Sequence, residues 1–80
     1  MERVSVLAYK VGRCLLQDIL NSKGIGQSEL AIKLNVKPPQ INKYVKGKQK
    51  MSIAVAYNIA QILNCQIEEL YEWIEVGNDE

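Results

Sequence analysis

The sequence predicts an all-α chain of five helices in one domain, and three observations carry that expectation. Apolar residues recur at spacings of three and four through most of the chain; Gly24, Asn35, Gly47 and Asn64 punctuate them as helix stops; and no stretch shows strand alternation, a linker, a repeat or low complexity. Eighty residues allow one small domain that buries only about 60% of its unfolded surface, too little for a large active-site cavity. A hydrophobic content of 48% and a charged content of 24% favour a folded soluble chain over disorder.

The first helix is expected from Val4 to Leu20, on the stripe Leu7, Ala8, Val11, Leu15, Leu16, Ile19 and Leu20, with Gly24 just beyond it. Gly12 inside that span costs about 1 kcal/mol against Ala, so fraying or bending is expected there. Gly26 can cap a short second helix, "QSELAIKLN", with Leu30, Ala31 and Leu34 inward and Asn35 as a left-handed stop. A third begins at Pro38 and runs to about Lys46, because proline lacks the amide hydrogen a first turn leaves unpaired; Gly47 ends it. Ser52 caps "IAVAYNIAQIL", whose inward stripe is Ile53, Ala56, Tyr57, Ala60 and Leu63, with Asn64 as the stop. The last helix is expected over about Ile67–Val76, with Glu68 and Glu69 in the first turn where the helix dipole favours acids. The domain then covers residues 1–76, and 77–80 is expected to be a disordered tail.

The net charge of +1 hides a strong polarisation. Residues 27 to 50 hold six lysines against Glu29 alone, whereas residues 51 to 80 hold six acids and no base. A basic middle beside an acidic end suits one face for a polyanion and another kept off it. Cys14 and Cys65 lack CxxC spacing and there is no histidine, so neither a zinc site nor another metal site or cofactor is expected; the thiols read as small buried hydrophobes kept reduced. Without histidine, cofactor loop or a base beside either cysteine, an enzyme is not expected. No segment reads as a membrane span or signal peptide, which implies a cytoplasmic protein with no membrane partner.

Residues 27–46 follow the logic of a helix-turn-helix. Ala31 is small where two steeply crossing helices approach, Asn35 tolerates the left-handed turn, and Leu30, Leu34, Ile41 and Tyr44 bury the inner faces. The stretch "NSKGIGQSELAIKLNVKPPQINKYVKGKQKMS" with the later "IAQILNCQIEELY" resembles the Cro and lambda-repressor-like (XRE-type) DNA-binding family over roughly Val11 to Tyr71, including "KG" before the second helix and "GK" after the third. The resemblance implies a compact five-helix fold and sequence-specific binding to duplex DNA by a bacterial or phage-type transcriptional regulator, a repressor by preference, often a homodimer on DNA. Two departures are informative. Leu20 and Val45 stand where the family carries an arginine and glutamate pair; hydrophobes on both sides leave no stranded charge, and the paired change predicts that Leu20 touches Val45. Gly26, Lys37 and Gln66 stand where the family favours Ser or Thr caps.

Carried over by position, the third helix lies in the major groove with Pro38, Pro39, Gln40, Asn42 and Lys43 toward the bases. Gln40 and Asn42 suit adenine, Lys43 suits guanine acceptors or a phosphate, and the prolines offer only apolar contact to a thymine methyl. Gln27, Lys46, Gly47 and Lys48 are the phosphate candidates, with Lys50 and Lys33 as weaker ones. Plainer readings stand beside these: a solvated lysine face, surface amides, and prolines that only start a helix. For a dimer contact the candidates are Tyr71, Trp73, Ile74 and Val76, with Cys14 and Leu15 competing. The alternative function is a protein-interaction module that docks onto another regulator, in which Trp73 is essential and Asn42 and Lys43 dispensable.

Overall fold

The computed structural model describes residues 7–77, in the order β1 (Leu7–Cys14), α1 (Leu16–Lys23), α2 (Gln27–Leu34), α3 (Pro38–Val45), α4 (Ile53–Leu63), a 3₁₀ turn (Ile67–Leu70) and β2 (Tyr71–Gly77). The middle of the chain follows the sequence expectation closely. Gly24, Asn35 and Asn64 each close a helix at positive φ, 68°, 64° and 56°, and Gly47 follows α3 at 74°. Left-handed closure lets Ile25, Val36 and Cys65 return their amides to the carbonyls of Leu20, Ala31 and Ala60. The Ser52 hydroxyl accepts the Val55 amide at 3.1 Å and starts α4. At Lys37 no side chain caps α3; Pro38 and Pro39 fill its first two positions instead.

Both ends of the chain depart from the all-α expectation of five helices. Residues 7–14 and 71–77 pair as an antiparallel ribbon, with Tyr9 opposite Glu75, Lys10 opposite Ile74 and Val11 opposite Trp73. The register slips between Val11 and Cys14, a stretch that holds Gly12, where an added Cβ would lie 2.9 Å from Ile74 Cδ1 and 3.0 Å from Glu72 Cβ. The expected helix over Val4–Leu20 therefore survives only from Leu16, and the one over Ile67–Val76 shrinks to a 3₁₀ turn. The physical reason is that a spacing of four, as between Leu7 and Val11, puts both residues on one face of a helix and also on one face of a strand. Gly12, Tyr9, Val11, Trp73, Ile74 and Val76 tip the balance, since glycine weakens a helix and the aromatic and β-branched residues suit a pleated surface. The pairing joins the two ends of the chain, so no local window contains it. The expected disordered tail falls mostly on 78–80, outside the described residues; Gly77 closes β2.

One core ties the helices together: Leu16, Leu20, Leu30, Ala31, Ile41, Tyr44, Ala56, Ile59, Ala60, Leu63 and Leu70 are buried. Leu34 and Val45 pack against it half-buried, so Leu20 and Val45 border the same apolar cluster. The inward stripe of α4 differs from the expected one. Ile59 takes the core position, while Ile53 and Tyr57, one turn apart, are 82% and 56% exposed. Cys14 and Leu15 lie at the end of β1 and in the link to α1, not on a helix. Cys14 and Cys65 are free and half-buried, and burial pushes both thiols above their ordinary range. The Leu15 amide donates to the Leu70 carbonyl at 2.8 Å and fastens the ribbon's base to the helices. Among the described residues, no helix is long and apolar enough to cross a membrane.

Candidate nucleic-acid interface

α2 and α3 meet across the turn Asn35–Lys37, with Ala31 fully buried where they approach. Leu30, Ile41 and Tyr44 face the core, and this leaves the opposite side of α3 free. Pro38, Pro39 and Lys43 are exposed there, and Gln40 and Asn42 are partly exposed. Lys33, Lys37, Lys43, Lys46, Lys48 and Lys50 are all exposed, and among the described residues none forms an ion pair. The first turn of α3 carries no acid. Residues 27–50 thus present six lysines against Glu29 alone around a row of amides and two prolines.

Gln27, the first residue of α2, is held on both sides. Its Nε2 donates to Gln17 Oε1 at 2.6 Å, and its Oε1 accepts from Asn42 Nδ2 at 3.4 Å. Gln17 Nε2 in turn donates to Asn21 Oδ1 at 2.8 Å. Side-chain amides from α1, α2 and α3 therefore form one relay that joins the Gln27 phosphate candidate to the Asn42 base candidate. A second amide pair links α3 to the loop behind it: Gln40 Nε2 donates to Gln49 Oε1 at 3.0 Å. The loop itself is pinned by Lys48, whose amide donates to the Lys43 carbonyl at 2.9 Å, and by Met51, whose amide donates to the Tyr71 hydroxyl at 3.2 Å. Burial raises the pKa of Tyr71, and the Met51 amide pulls against that rise.

The expected base and phosphate residues are thus gathered on α3, the start of α2 and the loop after α3. Gln17, Asn21 and Gln49 belong to the same neighbourhood and were not singled out from the sequence. Gln17 and Asn21 stand four apart on a helix, a spacing that allows an amide pair, and that was the available signal. The dimer candidates separate instead of clustering. Tyr71 is half-buried against Met51, whereas Trp73, Ile74 and Val76 are 48%, 42% and 43% exposed on β2. The indole N–H of Trp73 donates to the Glu68 carbonyl at 2.7 Å. The cross-strand register puts Trp73 with Val11 on one face of the ribbon and Ile74 and Val76 with Lys10 and Ala8 on the other.

Residues 16–75 match the family model described as the Cro/C1-type helix-turn-helix DNA-binding domain. The chain belongs to that family. As a Cro/C1-type domain it is 33% identical over 69 residues to the SPbeta prophage-derived HTH-type transcriptional regulator YopS of Bacillus subtilis, covering 85% of this chain and 93% of that protein. It is 36% identical over 59 residues to an HTH-type transcriptional regulator of Archaeoglobus fulgidus, covering 74% of this chain and 84% of the relative. The crystal structure of a transcriptional regulator from Listeria innocua superposes with a TM-score of 0.65 at 28% identity; 80% of this chain aligns, spanning 61% of that one. The regulator VanUg shares the fold at a TM-score of 0.63 and 19% identity, over 98% of this Cro/C1-type chain and 100% of the other. Family and fold together make the protein a DNA-binding transcriptional regulator.

Proposed function

We propose that this Cro/C1-type protein represses transcription by reading a short duplex operator with α3 in the major groove. The observation that carries the reading is the outer side of α3, where Pro38, Pro39, Gln40, Asn42 and Lys43 stand clear of the core amid exposed lysines that form no ion pair among the described residues. Asn42 and Gln40 hydrogen-bond base edges, Lys43 reaches guanine acceptors or phosphate, and the prolines rest on thymine methyls. Gln27 at the start of α2 and Lys46, Gly47, Lys48 and Lys50 after α3 hold the backbone, and these contacts set the register of the helix in the groove.

The active form in this reading is a homodimer joined through the exposed apolar side of β2, with Ile74 and Val76 as anchors and Trp73 closing against the protein's own 3₁₀ turn. Tyr71 braces the loop instead of meeting the partner. The protein works in the cytoplasm on the nucleoid. A polarisation titration against duplex DNA at low and moderate salt tests the central point: binding that weakens steeply with salt is expected, and absent or salt-insensitive binding to every duplex contradicts it.

A further inference from the structure

The strand β1 and the loop after α3 line a crevice of about 160 Å³ to which the reading above contributes Lys46, Gly47 and Lys50 but not the residues of β1. Arg13 lines it from β1, Lys46, Gly47, Gln49 and Lys50 from the loop, and Tyr71 from β2. Three cationic residues from two segments far apart in sequence thus border one small space, and none of the residues lining it is acidic. A space of this size is below the roughly 300 Å³ where drug-sized ligand sites begin, yet it admits a group the size of a phosphate with some of its water. At Gly47, one of the lining residues, nothing lies within 4 Å of where a side chain would start. Gln49, another lining residue, bonds Gln40 on α3.

We propose that this crevice is a phosphate site in which Arg13 joins Lys46 and Lys50, extending the duplex backbone contact from the helices onto the N-terminal strand. The proposal rests on the DNA-binding reading above and adds a residue that lies outside residues 16–75. Two carboxylates oppose it locally. Glu72 Oε1 accepts the Arg13 amide at 3.4 Å, and the Arg13 guanidinium sits 3.7 Å from Asp18. Both ends of the Arg13–Asp18 pair are more than half exposed, so water screens it and a phosphate oxygen offers the guanidinium a stronger, two-pronged partner.

The test compares the wild type with R13Q and R13K in titrations of a generic duplex from 50 to 200 mM salt. Losing one phosphate contact lowers the slope of log affinity against log salt by about 0.9, so the R13Q deficit shrinks by about 3.5-fold across that range. R13K keeps the charge and is expected to keep the wild-type slope, and thermal melts confirm that both variants fold. An R13Q slope equal to the wild type overturns the proposal while leaving the reading of α3 intact; a wild type that binds no duplex overturns that reading instead. A parallel titration with inorganic phosphate at constant ionic strength, followed through the Arg13 and Gly47 amide resonances, separates the two sources of phosphate. Saturable shifts there combined with an unchanged R13Q slope assign the crevice to a free anion and overturn the backbone contact.

Discussion

Asn42 and Gln27 share a hydrogen bond, and Gln27 is itself anchored by Gln17, so a base candidate on α3 and a phosphate candidate on α2 are oriented by one amide relay that begins on α1. Among the described residues, Asn42 Oδ1 and one N–H on each of Asn42 and Gln27 take no hydrogen bond, and these are the groups needed for adenine and for a phosphate oxygen. Orienting these amides before DNA arrives lowers the ordering cost of binding.

Replacing Gln17 with Leu removes the acceptor for Gln27 without touching DNA. An affinity loss of about fivefold is expected, the value of one net hydrogen bond, with little change in thermal stability. Unchanged affinity in a polarisation titration contradicts the relay's role.

Pro39→Gln restores a donor and acceptor at the tip of α3 and removes the apolar surface offered to a thymine methyl. The preferred base at the contacted position is expected to change, with about 0.4–1 kcal/mol of stability lost through the freer unfolded chain. Binding to a panel of single-base operator variants reads the first effect, and a thermal melt reads the second.

Leu20 is buried in the core cluster and Val45 packs against it. Leu20→Arg alone buries an unpaired charge and is expected to cost about 3–5 kcal/mol. Adding Val45→Glu to that variant is expected to recover part of the loss in urea unfolding; a double variant no more stable than L20R shows that the two side chains do not meet.

Gly12→Val is expected to destabilise the ribbon by about 1–3 kcal/mol, because the new side chain starts 3.0 Å from Glu72 Cβ, which the β2 backbone fixes, although the Ile74 Cδ1 tip at 2.9 Å can turn aside. A lower melting temperature with the helical circular dichroism below it retained marks the ribbon as the damaged part.

The helices were legible because each rests on local chemistry: Ser52 caps, Asn35 and Asn64 accept a left-handed backbone, and Pro38 starts a helix without a cap. The positions of Gln27, Asn42 and the loop lysines followed from that. The ribbon is not legible, because Val11 and Trp73 meet across the whole chain, and the spacing of four between Leu7 and Val11 and of three between Tyr71 and Ile74 satisfy helical periodicity. The amide relay was hidden for a related reason. Gln17, Gln27 and Asn42 lie on three helices, and only their crossing geometry brings the amides together. Ile53 and Tyr57 were misread inward because their one-turn spacing describes a stripe without saying which way it faces.

Tyr71 couples the ribbon to the loop through the Met51 amide, and burial raises its pKa above the ordinary phenol value. A raised folded pKa contributes stability that is present below the unfolded value near pH 10 and is lost as pH rises through the folded one. Stability is therefore expected to fall above about pH 10. Tyr71→Phe is expected to cost about 1 kcal/mol at neutral pH and to flatten part of that alkaline decline. Urea midpoints measured across the range, wild type beside variant, check both.

Binding selection from a random duplex pool, run with the wild type and with Asn42→Ala, tests most directly whether α3 reads bases. The expected result is an enriched consensus for the wild type that relaxes at a defined position in the variant. No enrichment, or the same consensus at the same strength from both proteins, contradicts the account.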